Sequence, residues 1–107
     1  MSEVLSDDPV LRRISTSLRA IYGDRIERLV LFGSRARGDA HADSDYDVAI
    51  FLVDLTHRWG EFHRLADLRT RILVETGAFL EARPFRAGAH RDRTPLMCQI
   101  RRDGIDL

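Results

Sequence analysis

The feature that most constrains this chain is the run Tyr46-Asp47-Val48-Ala49-Ile50-Phe51-Leu52-Val53, apolar at nearly every position. A short continuous apolar segment predicts a strand buried on both faces, at the centre of a sheet with helices to cover it. A second apolar run, Leu29 to Phe32, ends at Gly33 and predicts a buried neighbouring strand. Leu11, Ile14, Leu18 and Ile21 recur at helical spacing, with Pro9 suited to a first turn and Gly23 to a stop. Trp59, Phe62, Leu65, Ala66, Ile72 and Leu73 trace one face of a long helix that Gly77 ends, with Trp59 and Phe62 expected in the core.

Residues 78–85 suggest a third strand, with Phe79, Glu81 and Arg83 on one face, and Pro84 restricting it to an edge or a short pairing. Thr94-Pro95 predicts a cap and first turn for a last helix running through Arg102, stopped at Gly104. The small and polar stretch 36–44 predicts a loop, with room for one helical turn starting at Ser34. The order helix, strand, strand, helix, strand, helix predicts an α/β (α+β mixed) fold. Its small mixed sheet has three or more strands and helices flanking it.

A chain of 107 residues fits one domain, taken as 1–107, and 44% hydrophobic residues suffice for a modest core. Seventeen basic residues balance seventeen acidic ones, so direct nucleic-acid binding is not expected. Every basic residue is arginine, a bias that coding explains as readily as function. The N-terminal residues lack the basic and apolar blocks of a signal peptide, and no apolar stretch approaches the ~20 residues of a membrane span. One cysteine, Cys98, set among Leu96, Met97 and Ile100, is expected to be buried and unpaired, in keeping with the cytoplasm.

Chemistry concentrates between Gly33 and Asp47. On a strand, Asp45 and Asp47 project to the same side and Tyr46 to the other. Two close carboxylates repel unless a cation compensates them, and oxygen ligands suit Mg²⁺, which also binds triphosphate oxygens. Gly33 allows a sharp exit from the first strand and a close approach of phosphate to the backbone. Ser34 adds a hydroxyl and an N–H. Of Arg35 and Arg37, one is expected to approach a phosphate and the other to hold the loop through Asp39 or Asp43; surface ion pairs alone would also account for both. His41, His57, His63 and His90 show no ligand spacing and are assigned to no site.

Gly33-Ser34-Arg35-Ala36-Arg37-Gly38 followed by Ser44-Asp45-Tyr46-Asp47 resembles the signature of the DNA polymerase β-like nucleotidyltransferase superfamily, and most of all its minimal nucleotidyltransferase (MNT) members. The resemblance implies that Gly33 and Ser34 hold the triphosphate of ATP. It implies that Asp45 and Asp47 hold Mg²⁺, with two ions expected. It also implies a third carboxylate on a neighbouring strand, sharing a metal and taking the proton of the attacking hydroxyl. Glu81 is the only acidic residue in the third strand, where the family more often carries Asp. Glu81 is either that base and ligand or an exposed residue paired with Arg83 or Arg58. The closing segment, residues 100–107, resembles the family's short final helix.

The resemblance implies an antitoxin that transfers AMP to a tyrosine of a cognate HEPN-type ribonuclease toxin, with which it would form a hetero-oligomer. A second reading is an antitoxin that silences by binding alone, which the Glu81 departure favours. A third, nucleotidylation of a small hydroxylated molecule, ordinarily needs a longer chain.

Overall fold

The computed structural model describes residues 8–107. Helix α1 (Pro9–Tyr22) leads through a 3₁₀ turn into strand β1 (Ile26–Phe32), the single turn α2 (Ser34–Arg37) and strand β2 (Tyr46–Leu52). Helix α3 (Arg58–Thr76), strand β3 (Leu80–Arg86), helix α4 (Pro95–Asp103) and the two-residue strand β4 (Ile105–Asp106) follow. The sheet order is β3-β2-β1-β4; β1 runs antiparallel to both its neighbours, and β2 and β3 are parallel across the α3 crossover. The fold is thus the expected mixed sheet flanked by helices.

Strand β2 is apolar throughout because both its faces are covered. Val48, Ile50 and Leu52 pack with Leu29 and Leu31 against Leu11, Ile14 and Leu18 of α1 and Leu65, Leu68 and Ile72 of α3. Ala49 and Phe51 pack on the other face with Val30, Phe32, Met97 and Ile100 of α4. Asp8 caps α1 by accepting from the N–H groups of Val10 (2.9 Å) and Leu11 (3.1 Å). Thr94 caps α4 by accepting from the Met97 N–H at 3.1 Å, as its sequence position suggested.

Strand β3 is the outermost strand, and the phase of its pairing explains how it tolerates Pro84. The Tyr46 N–H donates to the Phe79 carbonyl at 2.8 Å, and the Ala87 N–H to the Leu52 carbonyl at 2.9 Å. In a parallel ladder this turns the backbone groups of odd-numbered β3 residues toward β2 and those of even-numbered ones outward. The N–H that proline lacks would therefore have pointed off the sheet.

Four expectations require correction. Trp59 is 80% exposed and Phe62 45% exposed, not core. The inward stripe of α3 is Glu61, Leu65, Leu68 and Ile72; Phe62, Ala66 and Leu73 each lie one residue on, about 100° around the helix. Glu61 can occupy the inward position because the Arg25 guanidinium donates to its carboxylate at 2.8 Å. Cys98 is exposed, since Met97 and Ile100 form the buried face of α4. Residues 100–107 do not continue as helix: α4 ends at Asp103, and β4 pairs with Val30 and Leu31. Gly104 sits at that break with an ordinary φ of −70°, so no left-handed turn demands it. What demands glycine is space, because an added Cβ would lie 2.3 Å from the Ile100 carbonyl oxygen and 2.5 Å from Val30 Cγ1.

Gly104→Ala should accordingly cost about 1–3 kcal/mol of stability, the range for overpacking against atoms that cannot move aside. Urea unfolding with an unchanged m value would measure it.

Candidate active site

Three strands bring the candidate residues into one row. Phe32 at the end of β1 pairs with Asp47, and Asp47 pairs on its other side with Glu81. Directly paired residues share a face, and this is the face that α4 covers further along the strands through Ala49 and Phe51. Asp47 is half-buried and Asp45 stands exposed one residue before β2 begins.

Gly33 leaves β1 with φ 76° and ψ −159°, a conformation essentially confined to glycine. Its carbonyl then accepts from the N–H groups of Ala36 and Arg37, both at 3.1 Å, which starts α2. A Cβ placed on Gly33 would lie 2.3 Å from Asp47 Oδ2 and 3.2 Å from Asp47 Cγ. The glycine backbone and the carboxylate are therefore packed directly against each other. Ser34 follows as the first residue of α2, where helical N–H groups have no intrahelical acceptor.

The loop between α2 and β2 is held by Arg35. Its Nε donates to the Ser44 carbonyl at 3.0 Å, and its guanidinium lies 4.0 Å from the centroid of the Tyr46 ring. Tyr46 is buried on the opposite face, and its hydroxyl donates to Asp8 Oδ2 at 2.6 Å. One carboxylate thus caps α1 and anchors the strand that carries Asp47. Burial, and then the hydrogen bond and charge of Asp8, push the Tyr46 hydroxyl up to about 12. Arg37 pairs with Asp39 at 3.2 Å within the same loop.

Electrostatically the row is short of positive charge. Burial first, then the charge of Asp45, raises the Asp47 carboxyl above its ordinary value; Glu81 adds to this, while Arg83 and Arg37 oppose it. Glu81 is drawn aside, accepting from Arg69 Nη1 at 3.3 Å. Among the described residues no three His, Cys, Asp or Glu side chains stand close enough together to enclose a cation. Asp45 and Asp47 remain an all-oxygen donor set whose mutual repulsion a hard divalent ion would relieve, so they fit Mg²⁺. Arg83, expected only as a partner for Glu81, is the strongest opposing influence on Asp47. Its position two residues after Glu81, on the same strand face, was the signal available for it.

Residues 11–86 match the nucleotidyltransferase domain family. A Methanocaldococcus jannaschii protein named "putative protein adenylyltransferase" is 31% identical over 78 residues, which is 73% of this chain and 72% of that protein. A second protein of that name and organism is 35% identical over 46 residues, 43% of this chain and 46% of its own length. Among solved structures, a "putative nucleotidyltransferase" of Sulfolobus solfataricus superposes with a TM-score of 0.59 at 17% identity, covering 91% of this chain and 75% of that one. A toxin–antitoxin structure with AMP-PNP superposes with a TM-score of 0.55 at 19% identity, covering 88% and 69%. At these identities the structural likeness is one of fold.

Two outcomes are expected at this site. Gly33→Ala, straining the backbone and meeting Asp47, should destabilise the protein by about 1–3 kcal/mol in chemical unfolding. Because the Asp47 carboxyl is raised in the folded state, the protein loses stability as pH climbs from the unfolded value through the folded one. Asp47→Asn should therefore melt higher than the wild type at pH 7 in EDTA, the gain vanishing below about pH 4. Added Mg²⁺ should raise the melting temperature of the wild type and not of this variant.

Proposed function

This chain belongs to the nucleotidyltransferase domain family, and from that premise we propose that it transfers AMP from Mg–ATP to a tyrosine hydroxyl of a cognate HEPN-type ribonuclease toxin, acting as the antitoxin. The observation that carries the reading is the contact of Gly33 with the Asp47 carboxylate. A triphosphate laid along the backbone at Gly33-Ser34 would have its α-phosphate next to the residues suited to a divalent ion. Asp45 and Asp47 would hold Mg²⁺, which when bound supplies positive charge against the triphosphate and the departing pyrophosphate.

The remaining chemistry belongs to the chain itself. The tyrosine oxygen attacks the α-phosphorus in line, forming the P–O bond while the bond to the β-phosphate oxygen breaks, and pyrophosphate leaves with that electron pair. Gly33 and Ser34 orient the phosphates, so that the reacting atoms meet at attack distance. Glu81, one strand from Asp47, accepts the proton of the hydroxyl once its carboxylate leaves Arg69. An exposed ion pair of this kind is worth only about 0–1 kcal/mol, so that release is easy.

The Glu81–Arg69 pair also favours the second reading, an antitoxin that binds its toxin without turnover. Intact mass spectrometry of the co-encoded partner, incubated with this chain, Mg²⁺ and ATP, separates the two. Transfer adds AMP to a tyrosine; inhibition of an unmodified partner leaves only binding. Asp45→Asn or Asp47→Asn should reduce transfer to background, and undiminished transfer in either would refute the metal-pair assignment. Glu81→Gln should slow the reaction about 100-fold or more if Glu81 is the base, and hardly at all otherwise.

A further inference from the structure

We propose that the cleft between α3 and the outer edge of β3 is the docking groove for the polypeptide that carries the acceptor hydroxyl, and that it takes this polypeptide as an extended acidic segment. The inference rests on the transfer reading above and adds where the acceptor lies and what chemistry it presents.

The cleft encloses about 520 Å³ and combines an apolar floor, including Leu65, Leu80 and Pro84, with a wall in which Arg58, Arg69 and Arg83 outnumber the single acid, Glu81. The protein as a whole carries no net charge, so this excess of arginine is local. It favours a partner bearing carboxylates, through forked hydrogen bonds as well as charge.

Shape argues for polypeptide over a compact ligand. Among the described residues no strand pairs with the outer edge of β3. The ladder phase turns the backbone groups of Leu80 and Ala82 outward, the pattern that an added strand would meet. Pro84 removes one donor from that edge, which discourages indiscriminate strand pairing and leaves its carbonyl available.

Phe62 and Ala66, which the sequence pattern placed on the core face of α3, line this groove together with Arg69. Phe62 in turn meets the exposed Trp59 ring at 6.2 Å, an aromatic pair of the kind that anchors interfaces. Glu81 belongs both to the groove wall and to the row with Asp47, so a segment seated there passes one strand from the reacting centre. A carboxylate of the segment that engages Arg69 would also free Glu81.

The test uses two tyrosine peptides of equal length, one flanked by glutamates and the other by glutamines, with Mg–ATP and the full chain. The acidic peptide should show a KM about tenfold lower. Ala66→Glu, which fills and reverses the groove from an exposed helix position, and Arg58→Glu should each raise that KM about tenfold and leave the KM for ATP within about twofold. Transfer to both peptides with equal KM and no effect of either variant would overturn the groove while the transferase reading stands. A rise in the KM for ATP alone would also overturn it, assigning the cleft to the nucleotide.

Where no peptide is labelled, the single tryptophan, Trp59, reports binding directly. A saturable emission shift with the acidic peptide in the wild type, lost in Ala66→Glu, supports the groove even if transfer fails. No shift overturns it.

Discussion

A carboxylate resting against the bare Cα of Gly33 is the contact around which this small molecule is organised. No other residue fits there, because the backbone angles are closed to side chains and the space is filled by Asp47. The contact joins the end of β1 to the start of β2 across an antiparallel pair. It thereby sets a glycine backbone directly against the second of two neighbouring aspartates. A slip of β2 by one residue would turn Asp47 into the core, and a slip of β1 would carry Gly33 away from it.

The rest of the structure holds this junction still. Tyr46, between the two aspartates, points the other way and is fixed from three sides: its hydroxyl by Asp8, its ring by Arg35, its N–H by the Phe79 carbonyl. Because Asp8 also caps α1, one carboxylate ties the helix to the strand that follows the acidic loop. The electrostatics work against this rigidity. Asp47 is partly desolvated and faces other acids, a state that costs stability until a cation or the arginines nearby compensate it. Structural strain of this sort concentrates where function resides.

Much of this was legible in the residues alone. The unbroken apolar run of β2 announced burial on both faces, and the Gly-Ser and Asp-x-Asp spacing announced which ends of the strands would meet. Pro84 restricted β3 to an edge or a short pairing, and β3 proves to be the edge strand. What resisted reading had physical causes. Two apolar stripes of α3 lie side by side, and the choice between them depended on Glu61 being neutralised by Arg25 from a distant segment. Strand β4 has only two residues, too few to show alternation. Gly104 is the helix stop it looked like, but the sequence did not show that Val30 packs where its side chain would be. The pairing of Glu81 with Arg69 around the sheet edge requires knowing that α3 packs over β3, which no local pattern contains.

The central claim is that Gly33, Asp45 and Asp47 make a single site. Its most direct test is a crystal of this chain soaked with Mn²⁺ and a non-hydrolysable ATP analogue, with anomalous scattering used to find the ion. The expected result is an anomalous peak at the Asp45 and Asp47 carboxylates and a triphosphate running along the Gly33-Ser34 backbone. A nucleotide bound elsewhere, or manganese absent from those two side chains, would contradict it.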